Sequence, residues 1–249
     1  MKITTRFCSF SIIFLLGSFF SSCNNAAEDE VKLKGKFVNQ TYLRTIPDSI
    51  PGLVSAYCYE MDFISDDSVK VLYGFEEATL GYKKKGNHYE LVNALRDKNM
   101  PFSFNDDGTL ILTDSTWNER SENSTFSKSG ISADWKFDNY INQKMIAGTY
   151  LLYKDDKPAS QKIIFNTDGT VTGLQNFKSY KICYSGDCVA ETYPISNNIT
   201  FTDDKNVTSV FAFDIDRKNK TLKINKIESP IPDTKGERAI KEIAFDLRQ

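Results

Sequence analysis

Apolar and polar residues alternate with a two-residue period along most of this chain. Tyr57, Tyr59, Met61 and Phe63 share one parity, as do Val69, Val71, Tyr73 and Phe75. Such alternation marks strands with one buried face. Turn signals interrupt it about every eight to twelve residues, at Asp66-Asp67, Gly86-Asn87, Asp106-Asp107-Gly108, Asp168-Gly169, Asp203-Asp204 and Lys218-Asn219. Helix-type periodicity is scarce. The pattern predicts an all-β chain.

The pattern also repeats. Phe63 to Phe75 lies over Phe165 to Phe177 at a shift of 102 residues, which sets Phe63 on Phe165, Asp66 on Asp168, Val69 on Val171 and Leu72 on Leu174. At the same shift Tyr82 meets Tyr184. Phe102-Ser103-Phe104 meets Phe211-Ala212-Phe213 at 109, and Asp134 to Asp138 meets Glu242 to Asp246 at 108. Gly35-Lys36-Phe37 opens the first copy as Gly148-Thr149-Tyr150 opens the second. The shift drifts only where loop residues intervene, as expected when strands are kept and loops vary. Residues 31–141 and 145–249 are therefore expected to be two copies, with Asn142 to Lys144 as a short joint.

Each copy offers about eight strand-like runs. In the second they begin near Ile146, Ile163, Thr170, Ser179, Val189, Asn198, Val207 and Thr221, with a final run near Ala239. Sequential strands without helical crossovers suit an up-and-down antiparallel order, and eight such strands can close a barrel without exposed edges. An open sandwich is the alternative. The opening Gly-x-aromatic strands and the Asp-Gly-Thr hairpins at 107–109 and 168–170 resemble lipocalin-like domains of Bacteroidetes-type lipoproteins. The resemblance implies two tandem lipocalin-like β-barrels, each with its own hydrophobic interior. Where that family usually has Trp after the opening Gly, this chain has Phe37 and Tyr150.

The first thirty residues follow another logic. Lys2 and Arg6 precede an apolar run from Phe7 to Phe20, shorter than the roughly 20 residues of a spanning helix but suited to a signal peptide. Phe20-Ser21-Ser22-Cys23 resembles a lipoprotein signal-peptidase site, with Phe20 where Leu is usual. The resemblance implies that 1–22 is removed and Cys23 is lipidated. Each buried methylene contributes about 0.8 kcal/mol to such an anchor, and stable attachment takes more than one chain. Plain secretory cleavage after Ala27 is the alternative. Residues 23–30 lack aromatic residues and end acidic, which predicts a flexible tether. That stretch is also similar to the export signal of surface lipoproteins. The expected location is the outer membrane, at its periplasmic face or on the cell surface.

Removing residues 1–22 takes away two basic residues and no acidic one. It leaves 29 Lys and Arg against 33 Asp and Glu, a balance of −4 over 227 residues. That length holds one large or two ordinary domains. A mildly acidic chain has no electrostatic footprint for nucleic acid. The one basic run, Lys83-Lys84-Lys85, precedes a turn and reads as solvated.

Candidate chemistry is sparse. Cys183 and Cys188 flank a four-residue connection containing Gly186-Asp187, which places them across a hairpin near disulfide separation; an exported protein meets an oxidising compartment. A two-cysteine metal clip would need further ligands, and none lies nearby in sequence. Cys58 is left over and, by strand parity, points with Glu60 and Asp62; a thiol buried between the domains is expected, with an intermolecular link as the alternative. His88, the single histidine, sits at a hairpin end, and no Gly-x-Ser-x-Gly or Ser-x-x-Lys motif accompanies it. The doublets Asp66-Asp67, Asp106-Asp107, Asp155-Asp156 and Asp203-Asp204 lack calcium-loop spacing and suit turns. Asn39, Asn123, Asn198 and Asn206 begin sequons, which mean little in a bacterium. Asp48-Ser49, Asp67-Ser68 and Asp114-Ser115 resemble the O-glycosylation motif of that phylum.

Tyr57, Tyr59, Phe63, Tyr73, Phe75, Phe102, Phe104 and Trp135 either line a cavity in the first barrel or fill it, since eight strands enclose little more than side chains. Two functions follow: a carrier of a small apolar ligand, or an envelope protein-interaction module, with the loop from Asp114 to Gly130 as a docking surface. No catalytic residue, metal ligand or cofactor is indicated. The expectation is a non-enzymatic, lipid-anchored binding protein.

Overall fold

Short turns decide which strands meet. Asp67 accepts hydrogen bonds from the Ser65 and Ser68 hydroxyls at 2.7 and 2.8 Å, closing the connection between β2 (Glu60–Phe63) and β3 (Ser68–Tyr73). Gly86, at φ +63°, turns the chain between β4 (Glu76–Lys85) and β5 (His88–Leu95). Asp107 accepts the Thr109 amide at 2.9 Å between β6 (Lys98–Phe104) and β7 (Leu110–Ser115). With β1 (Gly35–Asn39) and β8 (Ser121–Lys128) these strands form an antiparallel meander, and β8 returns to pair with β1. They close an eight-stranded barrel. The computed structural model describes residues 33–74, 76–115, 121–130, 135–185, 194–228 and 238–249.

The second half repeats the meander with β9 (Gly148–Lys154), β10 (Lys157–Phe165), β11 (Val171–Thr172), β12 (Phe177–Ile182), β13 (Asn197–Asp203), β14 (Thr208–Asp216), β15 (Thr221–Ile227) and β16 (Ile240–Arg248). Here β16 returns to β9. The expected second barrel is instead an eight-stranded sheet in the order β11-β10-β9-β16-β15-β14-β13-β12. Its end strands β11 and β12 meet through a single bridge, Thr170 to Ser179, and a 2.7 Å bond from the Tyr180 amide to the Gly169 carbonyl. Gly173 and Gln175, at φ +79° and +45°, bend the chain away from β10 and leave β11 two residues long. The expected strand near Val189 lies outside the described residues.

Much of the repeat is visible in the registers. Gly35 pairs with Phe63, and Phe63 with Val69; Gly148 pairs with Phe165, and Phe165 with Val171. The aromatic interior follows suit. Phe37 meets Phe63 edge-on at 5.7 Å and Phe63 meets Tyr82 at 5.1 Å; Tyr150 meets Phe165 at 5.8 Å and Phe165 meets Tyr180 at 5.2 Å. Tyr82 therefore corresponds to Tyr180, which corrects its alignment with Tyr184. Both tyrosines donate their amide and hydroxyl hydrogens to carbonyls of the preceding turn.

One expected equivalence and the expected joint fail. Residues 137–145 form a helix, α2 (Phe137–Met145), so they do not match the strand β16. The expected joint at Asn142–Lys144 is the last part of that helix. Its buried residues Phe137, Tyr140, Ile141 and Met145 recur at helical spacing. Asn139 and Asn142 both donate from Nδ2 to the Thr167 carbonyl, at 3.2 and 3.0 Å, tying α2 to the turn between β10 and β11. A second helix, α1 (Gln40–Thr45), follows β1; the buried Asn39 caps it by accepting the Tyr42 amide at 2.9 Å.

These helices reshape the interior. One buried cluster fills the first barrel around Phe37, Met61, Phe63, Phe102 and Phe126. The other fills the second half and also takes in Val38, Tyr42, Leu43, Ile46 and Tyr59 from the first. The expected pair of separate interiors is thus one barrel core plus one core shared across the halves. Cys58 is buried, as expected, but it packs within the barrel core and not between two domains.

Candidate functional site

The residues singled out in the sequence scatter. Cys23 and Cys188 lie outside the described residues, and Cys183 follows β12. His88 opens β5 at the hairpin with Asn87. Lys83, Lys84 and Lys85 are exposed, and Lys85 pairs with Glu90 at 2.7 Å. The acidic doublets act in turns: Asp203 accepts the Lys205 and Val207 amides, and Asp155 and Asp156 take left-handed φ values of +47° and +59°. Among the described residues no group of three or more His, Cys, Asp or Glu could hold a metal ion. The stretch expected as a loop from Asp114 to Gly130 is largely strand, with 116–120 outside the described residues.

The aromatics expected to line or to fill the first barrel divide. Phe63 and Phe102 lie in the barrel core, with Tyr57, Tyr73 and Phe104 against it; Phe75 lies outside the described residues. Tyr89 stacks on Phe102 at 5.2 Å, and Phe102 meets Phe104 at 6.1 Å. These separations are those of rings in contact, so the rings occupy the barrel's interior. Tyr59 and Trp135 belong to the shared core instead.

In that core Tyr59 meets Tyr42 at 4.7 Å, Phe137 at 5.1 Å and Tyr184 at 5.2 Å. The Tyr42 hydroxyl lies 2.7 Å from the Tyr184 carbonyl and 3.0 Å from that of Pro51, and the Tyr184 hydroxyl donates to the Gly74 carbonyl at 3.0 Å. Burial pushes both phenols well above the ordinary tyrosine range. They serve as neutral hydrogen-bonding struts.

Beside this seam lies an open cleft of about 550 Å³. One wall is the turn Pro47–Ile50 after α1; the other is the end of β14 and the residues beyond it, Asp214 to Arg217, with Met145 and Asn197 between. Arg217 fixes the two walls. Its Nε donates to the Pro47 carbonyl and its Nη2 to the Lys144 carbonyl, both at 3.2 Å. The second bond places a cation at the C-terminus of α2, where the helix dipole favours it. Asp216 is held below the ordinary aspartate range by the backbone and side-chain nitrogens of Asn219. Sequence reasoning missed this cleft. Its walls lie some 170 residues apart in the chain, and no local motif announces such a meeting.

No protein-family model, curated protein or solved structure matches this chain. Beside the seam the Glu60 carboxylate is buried, its Oε2 lies 3.5 Å from Lys36 Nζ, and its Oε1 has no hydrogen-bond partner. Lys36 Nζ also donates to the Trp135 carbonyl at 3.1 Å. Burial raises the Glu60 pKa above its usual value of 4.5, and Lys36 only partly opposes this.

A carboxyl whose folded pKa lies above its unfolded one binds more protons when folded, so its contribution to stability falls as pH rises between the two values. Glu60→Gln is expected to remove that component. The stability of the natural chain minus that of the variant should decline from pH 4.5 upward. Urea unfolding at a series of pH values measures the difference; a difference that is flat or rises with pH would show that Glu60 is not buried as a costly anion.

Proposed function

We propose that this protein is a non-enzymatic binding module of the cell envelope, attached by lipid on Cys23, whose small ligand lies in the cleft where the two halves meet. The observation that carries the proposal is the cleft itself. At about 550 Å³ it falls within the usual range for small-molecule sites, roughly 300–1,000 Å³, whereas the barrel interior is occupied by rings in contact. Asp216, held ionised, suits an acceptor better than a proton-transfer group, whose pKa should lie near the working pH. The ligand envisaged differs from the wholly apolar one first expected, because carboxylates and an arginine share the lining with Pro47, Ile50, Met145 and Ile215.

On this reading both halves descend from one lipocalin-like barrel. The second opened between β11 and β12, and the binding role moved from inside a barrel to the junction. The shared registers at Gly35 and Gly148 support that descent. Cys183 and Cys188 form a hairpin disulfide next to Tyr184, which stiffens the seam.

Native mass spectrometry of protein released from membranes, without reductant, tests these proposals together. The expected mass includes a diacylglyceryl group and an amide-linked acyl chain on Cys23, and the loss of two hydrogens at the cysteine pair. One small molecule should be retained per chain. Ser49→Trp, which fills the cleft, should abolish retention. Retention unchanged by Ser49→Trp would remove the cleft as the site, and an unmodified terminus at Glu28 would remove the anchor.

A further inference from the structure

The outer wall of the first barrel meets the second half through an acid. Val38 and Leu72 pair with Glu60 from either side, on β1 and β3. Val38 belongs to the shared core and Leu72 packs against it, whereas Phe37, Met61 and Val71, one residue away on each strand, belong to the barrel core. Glu60 therefore points out of the barrel and under the second half. It is 8% exposed, and its Oε1 is buried without a hydrogen-bond partner. Glutamate is rarely buried this far unless it is paired. Lys36 Nζ stands 3.5 Å from Oε2 and donates to the Trp135 carbonyl at 3.1 Å.

The surroundings give the anion little help. Burial works against its charge, Lys36 of β1 opposes that effect, and Asp62 of β2 and Glu77 of β4 add to it. Lys70 of β3, opposite Asp62, pairs with Glu77. From the second half Asp138 of α2 and Glu60 both act through space on Tyr184, and Asp138 pairs with Lys181 of β12 at 3.7 Å. Both lysines beyond Lys36 are thus shared with other carboxylates. A buried ion pair of imperfect geometry loses more in hydration than it regains by attraction. Parting the seam lets water reach the carboxylate and removes that cost, whereas a neutral carboxyl has little of it to shed.

We infer that Glu60 is a proton-operated latch between the halves: protonated, it keeps the second half seated on the barrel wall, and ionised, it favours a parted seam in which water reaches it. The closed seam binds the proton more tightly than the parted one, so raising the pH above 4.5 favours parting and acid favours closure. One proton changes this equilibrium by at most about tenfold per pH unit. Pro47 and Arg217, on the two walls of the cleft, stand on opposite sides of the seam. Parting therefore separates those walls, whatever the cleft holds.

Thiol labelling under native conditions tests the latch. Leu43→Cys puts a thiol on α1 at a position 1% exposed in the shared core, and Cys58, buried in the barrel core, is the control. The maleimide rate at each, located by peptide mass spectrometry and divided by that of an unstructured cysteine peptide at the same pH, gives the fraction open. The introduced thiol should open at least about tenfold more often than Cys58, and its open fraction should rise from pH 4.5 toward neutrality. Glu60→Gln in the same background should abolish the rise. Lys36→Met should move its midpoint to higher pH, because Lys36 favours the charged form. Carbon-13 NMR of labelled glutamate carboxyls, assigned with Glu60→Gln, reads the titration in the natural chain and does not need the introduced thiol. Equal opening of the two thiols, an open fraction that is flat or falls with pH, or a rise that survives Glu60→Gln would overturn the latch. So would a Glu60 carboxyl that titrates at or below 4.5.

Discussion

Tyr42→Ala is expected to cost about 3–5 kcal/mol, the range for removing a large buried side chain whose surroundings cannot collapse around the gap. Tyr42 is 2% exposed and stands on α1, in the first half, with its ring against Tyr59 and Phe137. The truncation also strips the carbonyls of Tyr184 and Pro51 of a hydrogen-bond donor. Tyr42→Phe keeps the ring and should cost about 1–2 kcal/mol, the value of the lost hydrogen bond. Urea unfolding followed by far-ultraviolet circular dichroism measures both. Because Tyr42 links the turn at Pro51 to the segment at Tyr184, the alanine variant should also show a broadened or two-step transition as the halves uncouple. A single sharp transition within 1 kcal/mol of the natural chain would show that the seam does not join them.

That seam is also where sequence reasoning stops. Turn chemistry is local, so Gly86-Asn87, Asp107-Gly108 and Asp168-Gly169 could be read as turns, and each connects paired strands. Strand parity is equally local, and it put Phe63, Val69, Val71 and Phe102 in the interior. The matches of Gly35 with Gly148 and Phe63 with Phe165 held because they concern residues that face one another across the same hairpins. The helical periodicity of Phe137, Tyr140, Ile141 and Met145 was present in the chain. Pairing that stretch with the strand at Glu242–Asp246 hid it, since a short alternation such as Trp135-x-Phe137 fits either period. The six residues of α1 are too few to show a period at all.

Tyr184 shows a different limit. Its parity within the second half marks it as buried, but its partners Tyr42 and Tyr59 lie about 140 and 125 residues upstream. The Arg217 clamp has the same character, joining a carbonyl of one half to a side chain of the other. An arginine two residues before Asn219, in a polar turn, looks like any solvated loop residue. Its role follows from where α2 ends, and so from the packing of the very helix that the repeat obscured. The candidate site is thus tertiary throughout: its two walls come from different halves of the chain, with Met145 of α2 between them.

Gly173→Ala should be the most damaging of the glycine substitutions, and the reason it is damaging explains the open second sheet. Gly173 has φ +79°, and a Cβ there would lie 2.1 Å from the Lys162 carbonyl oxygen on β10. That contact is with backbone, so no rotamer change relieves it. Either β10 shifts, disturbing the Ile163 and Phe165 positions in the shared core, or β11 detaches and exposes Val171 and Leu174, which are 3% and 1% exposed in the fold. Gly86→Ala supplies the control. Gly86 is also left-handed, at φ +63°, but has nothing within 4 Å of the added carbon. It should cost only the backbone penalty of about 1–2 kcal/mol, whereas Gly173→Ala should exceed it by at least about 2 kcal/mol, in the range of overpacked interiors. Amide exchange should accelerate at the β10–β11 pairs, Ile164 with Thr172 and Phe165 with Val171, before it does so in the first barrel. Equal losses for the two variants, or exchange that quickens first in the barrel, would mean that Gly173 is not what holds β11 against β10.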